Sequence, residues 1–345
     1  MMEAVPQKAD SRLARKTERI AYFLYLIGRN RLFMLGLGIG AIIVMAALFA
    51  PWIAPYPGDA TGDINMQAKL KPPSSQHFMG TDHFGRDIFS RVLYGARKSL
   101  SIGIGIVLIA FIIGLPLGLI AGYYGGRIDE ILMRICDGFL SFPILLLPIA
   151  IGGVLGSSMK VNMIGLAIVW WPWYVRLLRG QVLITREQAY VMAAKSIGVK
   201  NTTIIRRHII ANSIGPVLVQ VSLDLGYAIL ASASLSFIGI GAKPPMAEWG
   251  FMISEARPYF MNFWWTTTFP GLAIFTTVLG FNLLGDDSAQ LFALRSGHEG
   301  LFRNACDRVF SPSFSVNPWN SVVHSVRNPR MTGRFHLHRN APSSR

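Results

Sequence analysis

Cysteine is nearly missing from this sequence. Its two cysteines, Cys136 and Cys306, lie far apart with no CxxC or Cys/His spacing around either, which leaves no disulfide framework and no thiolate metal centre. Charge is scarce too: 15% of the 345 residues are charged, against about a quarter in an ordinary soluble domain. Acidic groups are the scarcest, 18 against 33 Lys and Arg, for a formal net charge of +15. The phosphate-cradling pattern GxxxxGK[ST] occurs nowhere, so no nucleotide is held by that device. No internal repeat is evident. What fills the chain instead is apolar: 52% of residues are hydrophobic and the mean hydropathy is +0.41. This composition argues against a soluble enzyme and for a membrane protein with basic loops.

Six apolar runs are expected to cross the bilayer, giving an all-α polytopic fold. The first, residues 32–54, has 23 uncharged residues, enough for a hydrocarbon core of about 30 Å. Its length and the polar segment before it predict a retained span rather than a cleaved signal peptide. The second, 99–124, carries glycines at 103, 105, 114, 118 and 122, as helices do where backbones approach closely in lipid. The others are 131–155, 161–178, 213–240 and 264–284. Arg134 and Asp137 share one face early in the third, and Asp224 lies within the fifth. Intramembrane charges of this kind face a pathway or a partner. Six spans place both termini on one side. That side carries 24 of the 33 Lys and Arg, which predicts cytoplasmic termini and a cytoplasmic 176–212 loop. The resulting parts are a cytoplasmic segment 1–31, a first span 32–54, an extracytoplasmic loop 55–98 and a five-helix core 99–284. A tail, 285–345, completes the chain.

The 176–212 loop holds good helix formers up to Ile197, then Gly198, the residue that most readily takes a left-handed stop. Asn201 stands where an N-cap would begin a second helix. A helical hairpin is therefore expected, with Ala193 and Ala194 offering a bare surface to a partner and Arg206 and Arg207 supplying charge.

The stretch AYVMAAKSIGVKNTTIIRRHIIANSIGP resembles the EAA loop of binding-protein-dependent ABC importer permeases, in the dipeptide, oligopeptide and nickel branch. Three more segments resemble the same branch: HFMGTDHFGRDIFSRVLYGARKSLSIG, GYYGGRIDEILMRICDGFLSFPILLL and SLSFIGIGAKPPMAEWGFMISEARPYF. The likeness runs from about Asn30 to Asp286. It implies an ATPase-coupling loop made by Tyr190, Ala193, Ala194, Gly198, Arg206, Arg207, His208 and Asn212. It also implies an extracytoplasmic signature at Gly80, Thr81, Asp82, Gly85, Arg86, Asp87 and Arg91. The implied partners are a homologous second permease, cytoplasmic ATPase subunits that bind ATP and Mg, and an extracytoplasmic solute-binding protein. The implied cargo is a short peptide or related solute, nickel among them, and the implied site is a bacterial inner membrane. The chain itself is expected to hold no cofactor and no metal and to catalyse no reaction. Three positions depart from the pattern: Met192 replaces a common glutamate, Ala211 a common proline and Ser232 a common carboxylate.

Other readings compete at particular residues. His77, Asp82, His83 and Asp87 lack a diagnostic metal spacing, and Asp87 with Arg91 suits an i,i+4 ion pair on a short interfacial helix. A nucleic-acid helix at Arg206 and Arg207 conflicts with the span that follows within a few residues. A self-contained secondary transporter or channel would use Asp137 and Asp224 as coupling carboxylates, yet has no need of a rigid cytoplasmic hairpin. The basic face of residues 12–24 suits anionic headgroups or simple positive-inside anchoring. Beyond Asp286 the resemblance stops, and the remaining residues read as a disordered extension or a reading-frame artefact.

Overall fold

A computed structural model describes residues 30–295, with side chains to residue 285. The basic N-terminal segment and most of the tail lie outside the described residues. Among the described residues every regular element is helical, and five helices are long and apolar enough to cross a membrane.

Helix α1, Arg31–Ile53, begins where the Asn30 side chain accepts from Leu32 N at 3.1 Å and Phe33 N at 3.4 Å, occupying two amides that have no partner inside the helix. Helix α2, Ile88–Tyr124, starts at Asp87, whose Oδ2 accepts from Ser90 N at 2.8 Å. It ends at Gly125, where φ is +67°, a conformation open mainly to glycine. The charge-free run predicted this helix only from Ser99. Its earlier start is possible because Arg91 is buried against carboxylates from elsewhere in the chain.

The third predicted span, 131–155, is two helices: α3, Gly126–Leu140, and α4, Leu146–Leu155. Five charges between Arg127 and Asp137 keep α3 amphipathic. Pro143, which lacks an amide hydrogen, lies in the turn between them. Ten residues of α4 rise about 15 Å, half a hydrocarbon core. Even so, the chain must return along the bundle here. Helix α5, Met159–Arg186, lies parallel to α2, with Gly114 against Tyr174 and Gly122 against Val182. The chain leaves α2 at one end and enters α5 at the other, so residues 125–158 carry it back.

A short helix α6, Ala189–Ser196, precedes α7, Asn201–Phe237. Then come α8, Trp249–Ala256, and α9, Trp265–Arg295. Helix α9 runs eleven residues past the expected end of the last span.

Glycine lets the central helices touch. A Cβ placed on Gly114 would stand 2.6 Å from the Tyr174 Cβ, one on Gly118 2.9 Å from the Val175 carbonyl, and one on Gly122 2.7 Å from the Val182 Cβ. The i, i+4, i+8 spacing puts all three on one stripe of α2, so α2 and α5 meet backbone to backbone. Around this pair Ile106, Leu166, Tyr174, Leu178, Val182 and Leu235 form the main core. A second cluster joins α2, α7, α8 and α9 through Ile88, Leu100, Ile229, Trp249, Met252 and Trp265.

Candidate functional site

One end of the bundle is built around α6. The sequence predicts a single helix to Ile197, but α5 stops at Arg186 and the chain turns at Glu187 and Gln188. The turn lets Val191 and Ala194 enter the core. Of the two alanines, only Ala193 faces outward. Gly198 ends the segment at φ +77°, as its position in the loop predicted. Lys200, not Asn201, is the N-cap of α7. Asn201 instead accepts a hydrogen bond from the Tyr123 hydroxyl at 2.8 Å.

Three polar ties bind this end together. Besides Tyr123–Asn201, Arg186 Nη1 donates to the Gly122 carbonyl at 3.1 Å. The Thr185 and Ser213 hydroxyls meet at 3.1 Å. These bonds join the ends of α2, α5 and α7 to one another, and α6 is held against them by buried Val191 and Ala194 and by Lys195 over the Tyr123 ring at 5.1 Å. On the outer side of α6, Tyr190 and Met192 are exposed along with Lys195 and Ser196, and Ile197, just past the end of the helix, is 80% exposed. Arg206 and Arg207 flank it, exposed and without an ion pair among the described residues. They sit with His208 in a π-helical stretch, Ile205–Ile209, a rare feature of helices that often marks a functional position. The His208 ring approaches Tyr190 at 6.0 Å, and Asn212 Nδ2 donates to the His208 carbonyl at 2.6 Å. The sequence-predicted coupling residues thus share one end of the fold. Ile197 was missed; an isoleucine at the end of a polar loop helix, just before a glycine stop, was the available signal.

The opposite end gathers the other predicted set. Gly80 and Gly85 take φ of +73° and +75°, where a side chain would strike Trp265 and the Asn65 carbonyl. The Thr81 hydroxyl bonds the Ala68 carbonyl and accepts from Lys71 N at 2.8 Å. Asp82 receives Arg86 Nε at 2.6 Å, and Arg86 and Arg91 both donate to Glu255 Oε2, at 3.0 and 3.2 Å. The expected Asp87–Arg91 ion pair does not form. Capping consumes one Asp87 oxygen, and the other meets His77 Nδ1 at 2.9 Å. His83 stacks on Tyr259 at 5.2 Å, where burial pushes its imidazole below the usual value. These side chains staple residues 57–87 to α2 and α8.

Glu248 caps α8 from within the protein, accepting from Gly250 N at 3.1 Å and Phe251 N at 2.8 Å. Burial pushes its carboxyl above the ordinary range, against the opposing pull of those amides. The folded protein therefore binds more protons than the unfolded chain in the interval above the ordinary carboxylate value. Stability falls as pH rises through that interval. Glu248→Gln is expected to remove this slope while keeping a capping oxygen. Glu248→Ala is expected to cost about 1–2 kcal/mol. Thermal unfolding in detergent between about pH 4 and pH 7 checks both; an unchanged slope in Glu248→Gln would refute the assignment.

The intramembrane charges divide differently from their expected grouping. Arg134 pairs with Glu130 at 2.9 Å on the exposed side of α3. Asp137 meets Arg176, and Asp129 holds Arg179 through bonds of 2.5 and 2.6 Å. Those pairs fasten α3 to α5. Asp224 alone is buried, with Oδ1 accepting from Gln220 Nε2 at 2.9 Å. Its Oδ2 and the neighbouring Tyr174 hydroxyl lack a well-formed hydrogen bond, as do Asn162 Oδ1 and Ser232 Oγ. All four atoms lie on α5 and α7, so the unsatisfied polar groups of the described residues trace one helix seam.

Comparison with known proteins matches this arrangement to a family. A profile described as binding-protein-dependent transport system inner membrane component covers residues 114–296. Another, described as the N-terminal TM domain of oligopeptide transport permease C, covers residues 26–73. The first extends past the point where the recognised motifs end, in step with the longer α9. The probable D,D-dipeptide transport system permease protein DdpC of Escherichia coli is 46% identical over 74% of this chain and 85% of its own length. The dipeptide transport system permease protein DppC of Alkalihalophilus pseudofirmus is 46% identical over 75% and 84%. The glutathione transport system permease protein GsiD of Pectobacterium atrosepticum is 44% identical over 71% and 81%. With its membrane-length helices and matched core, the chain belongs to the binding-protein-dependent transport system inner membrane component family: it is a permease subunit of an ABC importer and not a catalytic enzyme.

Proposed function

We propose that this chain and a homologous second permease form the pathway for short peptides delivered by an extracytoplasmic binding protein. Helix α6 is the contact to cytoplasmic ATPase subunits, which bind ATP and Mg. The excess of Lys and Arg supports a cytoplasmic position for the α6 end, with α3 and α4 together making a sixth, broken crossing. Both chain termini lie on the cytoplasmic side of a bacterial inner membrane. Peptide cargo is supported by relatives named for dipeptides and glutathione.

The observation that carries the coupling role is the exposed apolar surface of Tyr190, Met192 and Ile197 at a helix whose other face, Val191 and Ala194, is buried in the core and whose Lys195 lies over the Tyr123 ring. A partner gripping α6 has a rigid route to the bundle. ATP-dependent rearrangement of the partner then shifts the population of pathway states. Asp224 and Tyr174, on the seam between α5 and α7, are the pathway candidates within the bundle. Arg134 and Asp137 serve its rim.

Gly198→Val tests the reading. No atom lies within 4 Å of a Cβ at this position, so the added bulk points toward a partner, while the left-handed backbone becomes strained. Transport is expected to fall about tenfold or more, the equivalent of ~1.4 kcal/mol of lost docking, with normal membrane insertion. Unchanged uptake by this variant would remove α6 from the coupling role. Uptake that persisted with the ATPase inactivated and followed a proton gradient would favour a secondary carrier instead.

A further inference from the structure

At the end of the bundle opposite α6, a cavity of about 430 Å³ is lined by Thr61, Tyr94, Arg97, Lys98, Ser101 and Met246, among others. Arg97 and Lys98 are exposed and have no ion pair among the described residues. The carboxylates nearest in sequence to its walls are turned elsewhere: Asp59 accepts from Asp87 N at 2.7 Å, and Glu248 caps α8. The hydroxyl of Ser101 donates to Lys98 O at 2.8 Å and that of Thr61 to Gly58 O at 3.0 Å. The two cations and the Tyr94 hydroxyl therefore supply the uncommitted donors. A guanidinium fork beside an ammonium suits a phosphate oxygen cluster.

The helix face below the cavity defines the rest of the ligand. From Arg97, offsets of 4, 7, 11 and 15 residues lead to Ser101, Ile104, Leu108 and Ile112, which lie on one side of α2. The three apolar residues are 50%, 52% and 60% exposed. Arg97 and Lys98 are also the last charges before the uncharged run 99–124, which places them at the hydrocarbon boundary. A peptide carboxylate would match the cations alone. An anionic group attached to an apolar tail matches both cations and stripe.

We propose that Arg97 and Lys98 hold the phosphate headgroup of an anionic phospholipid whose acyl chain lies along Ile104, Leu108 and Ile112. The site is independent of the solute that the complex carries.

The test is native mass spectrometry of the full-length protein, with its co-purifying subunits, released from detergent after incubation with phosphatidylglycerol or phosphatidylcholine. Wild type is expected to retain phosphatidylglycerol selectively. The double variant Arg97→Gln/Lys98→Gln is expected to bind it roughly tenfold to thirtyfold more weakly, with unchanged thermal unfolding. Lys160→Gln removes an exposed cation outside the cavity and is expected to retain the lipid. Equal retention by the double variant and wild type would overturn the proposal. So would displacement of the lipid by millimolar inorganic phosphate, which would reveal a free-anion site, or by a dipeptide, which would reveal a cargo subsite.

Discussion

Replacing Glu255 with alanine is expected to lower the unfolding free energy by about 3–5 kcal/mol, the usual cost of stranding a buried charge. Two arginines depend on this one carboxylate. Arg86 and Arg91 have side chains only 3% and 1% exposed, and both donate to the same Glu255 oxygen. Without it, Asp82 alone would face two cations, one of them at 3.6 Å. A double substitution, Arg91→Met/Glu255→Leu, is expected to recover much of the loss by removing a cation together with its anion. Thermal unfolding of the full-length protein in detergent measures the difference. Limited proteolysis adds a second readout, because residues 57–87 are stapled to α8 through this cluster and are expected to be cut first in Glu255→Ala. A melting temperature within about 1 °C of wild type would mean that the cluster contributes little.

Gly122→Leu is expected to have the second largest effect, loss of about 3 kcal/mol and with it most of the accumulated protein. A side chain here meets the Val182 Cβ at 2.7 Å and the Arg179 carbonyl at 3.0 Å. Neither backbone can yield without separating α2 from α5. The substituted residue is also the one whose carbonyl accepts from Arg186, so this tie between α5 and α2 loosens with it. Adding Val182→Gly is expected to restore part of the stability by reopening the contact. Gly180→Ala is the matched control. No atom lies within 4 Å of a Cβ at Gly180, so alanine there gains up to ~1 kcal/mol of helix propensity. Expression and melting temperature of the variants, compared side by side, decide whether close helix approach or mere volume governs this contact.

What the sequence revealed follows from the range over which each signal acts. The glycine at 198 and the glycine spacing of α2 are patterns among neighbours a few residues apart. Hydropathy located five long helices for the same reason. It overlooked the break at Pro143 because apolar averaging counts residues 131–155 as one run, although a single missing amide and a cluster of charges divide it. The extended start of α2 was hidden because Arg97 and Lys98 end the charge-free run, and nothing near Arg91 shows that it is buried until Glu255, far along the chain, is seen beside it. Asn201 resembled a cap by residue type, yet its partner is Tyr123, which no local pattern could indicate. Ala193 and Ala194 looked alike, and only the turn at Glu187 separates the outward alanine from the inward one.

The cluster at Glu255 also bears on how the protein is made. Arg86 and Glu255 are separated by 169 residues, and Arg91 and Glu255 by 164. At a synthesis rate of about 5–20 residues per second, the arginines emerge roughly 10–30 s before their anion exists. During that interval the local pairs of Asp82 with Arg86 and Arg91 are available. The end of the bundle opposite α6 is therefore expected to close late, after α7 and α8 have been made, while the α2–α5 contact can form as soon as α5 is present. Assembly is expected to proceed from the glycine-lined centre outward, with the charged staple added only once α8 has been made.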